Sequence, residues 1–433
     1  MKRPLSLIAA VLALSAGPAS AQWMFRGGPA HSGTADAGPR QAPRVKWRFP
    51  TGDRIVSSPV WHEGVVYFGS DDGRVYAVEA ASGRQLWMTA TNGPVGSTPA
   101  VSGGVVYATS YDGRLYALDA RSGARRWTFA TGGERRFEAK NLHGFQPARQ
   151  TFFDPYDVYL SSPAVEGGVV YFGSGDGRVY AVDGASGRER WHVQTGDVVH
   201  ASPAVAGGVV YVGSWDGDLY ALDAASGQER WRFHGGKDDV IHNQVGFQSS
   251  PAVADGVVYV GCRDSKLYAL DAASGQERWS YDNEGSWVVG SPAVTNGRVY
   301  FATSDSRRFH VLDATTGKVV ASQTSGAYLF SSPTVAGDVV LIGVLNGTLE
   351  ARDAGTGALL WSYEVEASRG PAGRVLAADR TFDQAVLFPS GWGADPYSSF
   401  VRQGGVGSIF STPLVAGGLV LFGSTDGALY ALE

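Results

Sequence analysis

The sequence is poor in sulfur, with one cysteine, Cys262, and three methionines. A lone cysteine excludes an intrachain disulfide, so stability must come from packing even in an oxidising compartment. An excess of charge of either sign is also missing: 36 Lys and Arg face 41 Asp and Glu, for a net charge of −5. That balance implies no surface for nucleic acid or for an anionic membrane. Beyond residue 21 no stretch is apolar enough to cross a bilayer. Nucleophile–base signatures, phosphate loops and zinc motifs do not occur, and no long helical period is convincing.

The first 21 residues read "MKRPLSLIAAVLALSAGPASA". Lys2 and Arg3 give a basic start, Leu5–Leu14 an apolar core, and Ala19-Ser20-Ala21 an A-x-A cleavage site. This pattern predicts a secretory signal over 1–21 and a mature chain that works in the periplasm or outside the cell. Gln22 follows the expected cleavage site where a lipid-anchored chain would have Cys.

What the chain does have is glycine, 59 residues, and aromatics, 12 %. Both are spread over a unit of about 40 residues, the period of a four-stranded propeller blade. Each unit opens with a small residue, then Ser or Thr, then Pro, at Pro59, Pro99, Pro163, Pro203, Pro251, Pro292, Pro333 and Pro413. A run such as "VVYFGS" follows, usually with an Asp-Gly turn, then "LYALD", a turn such as "AASGQE", and "RWRF". Alternating Val and aromatic residues joined by Asp-Gly predict antiparallel strands and hairpins.

The acidic position recurs at Glu79, Asp119, Asp183, Asp223, Asp271, Asp313, Asp353 and Glu433. Trp follows eight residues later at Trp87, Trp127, Trp191, Trp231, Trp279 and Trp361. The sixth unit has Ala321 there, which predicts the loosest seam. The eighth unit ends at Glu433, and its missing strand is found in front, where "VKWRFPTG" at 45–52 supplies Trp47. The expected fold is therefore all-β: an eight-bladed propeller of four-stranded antiparallel blades, closed by an N-terminal strand that completes the last blade. Closure of this kind removes the open ends of the array. The expected divisions are a signal peptide at 1–21, a leader segment at 22–44 and the propeller at 45–433. Each Trp is expected to pack against the neighbouring blade, and each acidic residue to cap its own turn.

The pattern A-x-D-x-x-x-G-x-x-x-W, as at Ala117–Trp127 and Ala221–Trp231, resembles the tryptophan-docking motif of pyrroloquinoline-quinone (PQQ) repeat propellers. That superfamily includes quinoprotein dehydrogenases and a non-enzymatic lipoprotein of outer-membrane assembly. The likeness covers roughly residues 45–433 and speaks to fold, because the motif is a packing device. "FRGGPAHSG" at 25–33 resembles the leader of many members, without a physical role evident from sequence.

All large insertions fall in the connectors between blades, at 131–160, 235–248 and 365–410, and so on one face. Candidate ligand-binding residues there are His143, Gln146 and Asp154 in the first insertion and Asp239, His242, Asn243 and Gln248 in the second. His200 and Gln248 occupy a position, three before Pro, that is apolar or Gly in the other units. Trp215, Asp216, Arg263 and Asp264 lie on neighbouring hairpins. The Asp-Gly aspartates also serve the turn itself. His200, His242 and Asp239 lack tight metal-ligand spacing, so no metal site is assigned, and no catalytic residue is identified.

Two functions follow. A non-enzymatic binding or scaffold propeller would use the insertion-bearing face to hold an envelope protein, a small molecule or a glycan, as a monomer. The alternative that the resemblance implies is a PQQ- and Ca²⁺-dependent oxidoreductase for an alcohol or sugar. In that reading Trp215 or Trp287 stacks on PQQ, Arg263 meets a carboxylate, and Asp264, Asp239 or Asn243 holds the ion or acts as base. The chain lacks the adjacent-cysteine ring of the family's alcohol dehydrogenases and any C-x-x-C-H haem motif. The binding reading ranks first.

Overall fold

The computed structural model describes residues 22–140, 151–236, 246–391 and 396–433. The expected signal segment and the candidates His143, Gln146, Asp239, His242 and Asn243 lie outside these residues.

Eight four-stranded antiparallel sheets form the blades. Blade one comprises Val60–His62, Val65–Ser70, Arg74–Glu79 and Gln85–Ala90. Six more blades repeat the pattern, and the eighth combines Leu414–Ala416, Leu419–Ser424 and Ala428–Leu432 with Val45–Pro50. In that closing pair Trp47 lies opposite Ala431 and Pro50 opposite Ala428. Arg44 and Glu433 exchange backbone hydrogen bonds of 2.9 and 2.8 Å beyond the strand. The N-terminal strand thus closes the ring as the repeat predicted.

The docking motif is a seam device. Each indole N–H reaches a carbonyl of the next blade: Trp47 to Ala80 (2.9 Å), Trp87 to Ala120 (2.9 Å), Trp127 to Gly184 (3.2 Å), Trp191 to Ala224 (3.0 Å), Trp231 to Ala272 (3.0 Å) and Trp279 to Ala314 (3.0 Å). Trp361 instead donates to Pro39 of the leader at 2.7 Å. The motif glycine makes room for the ring. At Gly83, with φ +72°, a Cβ would lie 2.7 Å from the Trp47 indole. The acidic residue caps its turn: Asp119 Oδ1 accepts from the Ser122 backbone and hydroxyl, and Oδ2 from Arg126. These bonds, Arg126 foremost, hold its carboxyl below the usual range.

The seam at Ala321 is filled rather than loose. Blade seven carries Glu350 and Arg352 where the "LYALD" pattern has Tyr and Leu. Both are buried, and Arg352 donates to Glu350 at 2.6 and 2.8 Å, to the Gly357 carbonyl at 3.0 Å and to the Thr324 carbonyl at 3.2 Å. Over the motif glycine Gly357, where an indole lies in other blades, stand Gln323, Phe309 and Ala321, and the Arg352–Glu350 pair ties down the carbonyl of that glycine.

The Ser or Thr before seven of the eight prolines also has a definite job. Its hydroxyl accepts the backbone N–H of the corresponding residue one blade earlier, as from Ser58 to Thr98 (3.2 Å), Ser202 to Ser250 (2.8 Å) and Thr412 to Ser58 (2.9 Å). The innermost strands would otherwise present unpaired edges to the axis. The leader covers those edges. Carbonyls of Gln22, Trp23, Pro29, Ala30, Ser32 and Gly33 accept from Trp61, Val101, Val205, Val253, Val294 and Val335, each two residues past its Pro, at 2.7–2.9 Å. "FRGGPAHSG" is therefore a strap that runs around the channel on the side of the short turns, before the chain leaves to become the outer strand of blade eight.

Candidate functional site

The opposite end of the channel is built by the insertions. The first returns as a short hairpin, Glu138–Lys140 paired with Thr151–Phe153. The third contributes the helix Pro396–Gly405, an element the sequence pattern did not announce. The two meet over the axis, where Tyr397 donates to the Phe153 carbonyl at 2.9 Å and Tyr156 packs edge-on against Phe400 at 5.4 Å.

Beneath them four side chains stack in succession. Phe137 of the first insertion lies 4.0 Å from Trp215, nearly parallel at 12°. The Arg263 guanidinium sits 4.3 Å from the other ring centroid of the pair it bridges, that of Trp215, and 3.9 Å from that of Trp287. All four are 0–1 % exposed. Trp215 and Arg263 occupy the same hairpin position in adjacent blades, just before the turn aspartate, so the ring geometry points both at the axis. Cation–π attraction in a dry site holds this arrangement. Arg263 also donates to Asp154 and, at 2.9 and 2.6 Å, to the Gln248 carboxamide oxygen. Gln248 in turn donates to the Tyr156 carbonyl at 2.7 Å. Burial pulls the Arg263 pKa down, and the Asp154 charge opposes that pull.

His200 forms a second knot. Its Nδ1 lies 2.7 Å from Asp157 and its Nε2 2.9 Å from Glu134. Burial would lower its pKa, but the two carboxylates prevail and raise it to about 10. The imidazolium thus clamps the insertion to the inner strand of blade four. Asp157 also accepts from the Phe137 backbone at 2.7 Å, and Glu134 from Gly175 at 2.5 Å.

The structure therefore brings Asp154, His200, Trp215, Gln248, Arg263 and Trp287 to one mouth. Asp216 and Asp264 stand at its edge, engaged with their own turns: Asp216 accepts from Gly196 and Tyr220 at 2.7 Å each, and Asp264 from Gly236 at 2.7 Å, Lys266 at 3.0 Å and Tyr268. Cys262 is buried, its thiol pushed well up by burial, which leaves it no nucleophile. Sequence reasoning missed Phe137 and Glu134. The signal was a cluster of aromatic and acidic residues in "GGERRFEAK" with no counterpart in the repeat.

A planar quinone does not fit this arrangement. The slot between Trp215 and Trp287 is filled by Arg263, and the cavity on the axis beside His200 and Gln248 measures only about 30 Å³. Small-molecule sites run to ~300–1,000 Å³. Asp264, a candidate ion ligand, already has both oxygens engaged.

A family model described as outer membrane protein assembly factor BamB matches residues 40–143, 149–286 and 283–433. No curated protein matches the chain. Among solved structures, BamB from Moraxella catarrhalis superposes with a TM-score of 0.67 at 16 % identity, over 90 % of this chain and 100 % of that one. A europium-containing methanol dehydrogenase gives 0.68 at 15 %, over 94 % and 91 %. The quinohemoprotein alcohol dehydrogenase from Comamonas testosteroni gives 0.69 at 14 %, over 95 % and 80 %. At such identities the structural likeness speaks to fold, while the family match spans nearly all of residues 40–433: the chain belongs to the BamB family of PQQ-repeat β-propellers.

Proposed function

We propose that the protein is a non-enzymatic binding or scaffold propeller of the cell envelope, exported by its first 21 residues, that works through the insertion-bearing face. The observation that carries this reading is Arg263: it fills the space between Trp215 and Trp287 and is tied to the first insertion through Asp154. A mouth packed with the chain's own side chains suits a surface that presents its crown. That crown is apolar, with Phe153, Tyr397 and Val401 exposed by 49 %, 42 % and 70 %. Tyr397 and Val401 are one helical turn apart and share a face. An envelope protein is the partner that such a ridge suits.

Two measurements test the reading. Titration with PQQ and Ca²⁺, followed by dye-linked oxidation of alcohols and sugars, should give neither a spectral change nor turnover. Turnover would establish the oxidoreductase reading, which the convergence of Trp215, Arg263 and Trp287 favours and which requires Arg263 to leave its slot. Affinity capture from the envelope should recover a protein with the wild type and lose it with Val401→Asp; equal recovery by both would remove the crown from the proposal.

A further inference from the structure

Arg26 lies on the axis, 5 % exposed, at the centre of the leader strap. Its terminal nitrogens donate to the carbonyls of Pro333 (2.5 Å) and Pro292 (2.8 Å), and its Nε–H has no partner. Gly33 leaves it room: with φ +69°, a Cβ there would fall 2.0 Å from Nη2. Among the described residues no carboxylate acts on it. Burial alone moves its pKa, down to about 9, so it is a cation at neutral pH. His31 beside it is no countercharge, since burial and the Arg26 charge push its pKa down to about 3. A buried charge without a partner is disfavoured; interiors pair such charges.

The ring of hydroxyls lies just above. Seven inter-blade N–H bonds end on the hydroxyls of Thr98, Ser162, Ser202, Ser250, Ser291, Ser332 and Ser58. A hydroxyl that accepts in this way still has its hydrogen to give, and none of these gives it to a protein atom among the described residues. Ser58, Thr98 and Thr412 line a cavity of about 20 Å³ together with Phe25 and Arg26. That is room for one water-sized guest. Thr334, which also lines it, spends its hydrogen on the Pro413 carbonyl at 2.6 Å.

We propose that this cavity is a specific site for one small monovalent anion of halide size, held by Arg26 and the hydroxyls of Ser58, Thr98 and Thr412. A water molecule would satisfy the hydroxyls and leave the Arg26 charge uncompensated. Carboxylates and phosphate exceed the volume. The site lies at the other end of the channel from the Trp215–Arg263–Trp287 stack and is independent of any ligand there. Its anion would fasten the strap to blades one, two and eight.

Crystals of the intact protein soaked in sodium bromide should show anomalous density beside Arg26. The melting temperature should rise by about 2 °C for each tenfold increase in bromide above its dissociation constant, and not in sodium gluconate at equal ionic strength. Arg26→Met, which keeps the bulk of the stem, should abolish both signals, and Ser58→Ala should weaken the bromide dependence. Should Arg26→Met fail to fold, the wild-type density and melting series decide alone. Water density in the cavity with equal melting in both salts would overturn the proposal. Bromide density without halide-specific melting would mark an adventitious ion only and overturn it too.

Discussion

Replacing Trp47 by alanine removes the side chain that joins the closing strand to blade one. Trp47 is 9 % exposed and packs among Ile55, Val66, Phe68, Tyr76 and Leu421. Truncating a buried Trp costs about 3–5 kcal/mol. A second contribution is particular to this seam. At the next one the Ala120 carbonyl accepts from both Trp87 and Tyr67, at 2.9 and 3.1 Å. Blade eight has Leu421 at the position of Tyr67, so the Ala80 carbonyl has Trp47 as its side-chain donor and no tyrosine beside it. Leaving a buried acceptor unpaired adds about 1–3 kcal/mol. Trp47→Ala should therefore destabilise by roughly 4–8 kcal/mol, a large share of the ~5–15 kcal/mol typical of a folded domain. Trp87→Ala should cost less, because Tyr67 still serves its carbonyl. Trp47→Phe should recover most of the packing and lose about 1–3 kcal/mol. Urea unfolding followed by far-ultraviolet circular dichroism measures all three. If Trp47→Ala unfolds at the wild-type midpoint, or no earlier than Trp87→Ala, the closing strand is not what holds the ring shut.

His200 carries a pKa raised to about 10 in the folded protein, against ~6.5 unfolded. Its stabilisation is then complete below pH 6.5 and is lost as pH climbs through 10; a pH series of melts should show that alkaline decline, flattened in His200→Gln. His31 and His310 behave oppositely, lowered by burial to about 3 and about 4, so stability should fall as pH drops below 6.5, and His310→Phe should remove part of that loss. Arg263→Met strands Asp154 in the interior and should cost about 3–5 kcal/mol; the double variant with Asp154→Asn should recover much of it in the same unfolding assay, and equal losses would mean the pair is not coupled.

The fold was legible because each of its parts is stated eight times. Seven Trp and eight acidic positions, offset by one unit, encode closure directly. The candidate site was half legible. Trp215 and Arg263 share a hairpin position, so the repeat alone placed them together. Phe137 and Glu134 belong to an insertion that no other unit carries, and their positions follow from how it folds back. The leader was opaque for another reason: its strap bonds run through backbone carbonyls, which every residue possesses. Only Arg26 and Gly33 leave a trace, and the trace is interpretable only once the axis is known.

The seam at Ala321 shows why a missing residue is poor evidence of a weakness. The unit that lost its Trp was read by itself, yet an indole is held as much by the blade that receives it. Blade seven has changed with it: "TLEARD" replaces the "LYALD" pattern, with Arg352 donating to Glu350 and to two carbonyls that flank the vacated space. A buried ion pair can be as costly to desolvate as it is favourable to form, while removing one partner costs about 3–5 kcal/mol. The seam is therefore unlike the other seven in kind: it is indifferent to indole packing and sensitive to either charge. The outer strand of blade six, which lost the Trp, also exposes Val319 and Val320, by 47 % and 42 %, where blades four and five have Glu and Arg. Charges at those positions blunt a free sheet edge. The departure from the repeat thus runs across two blades, from the outer strand of blade six to the face of blade seven that meets it.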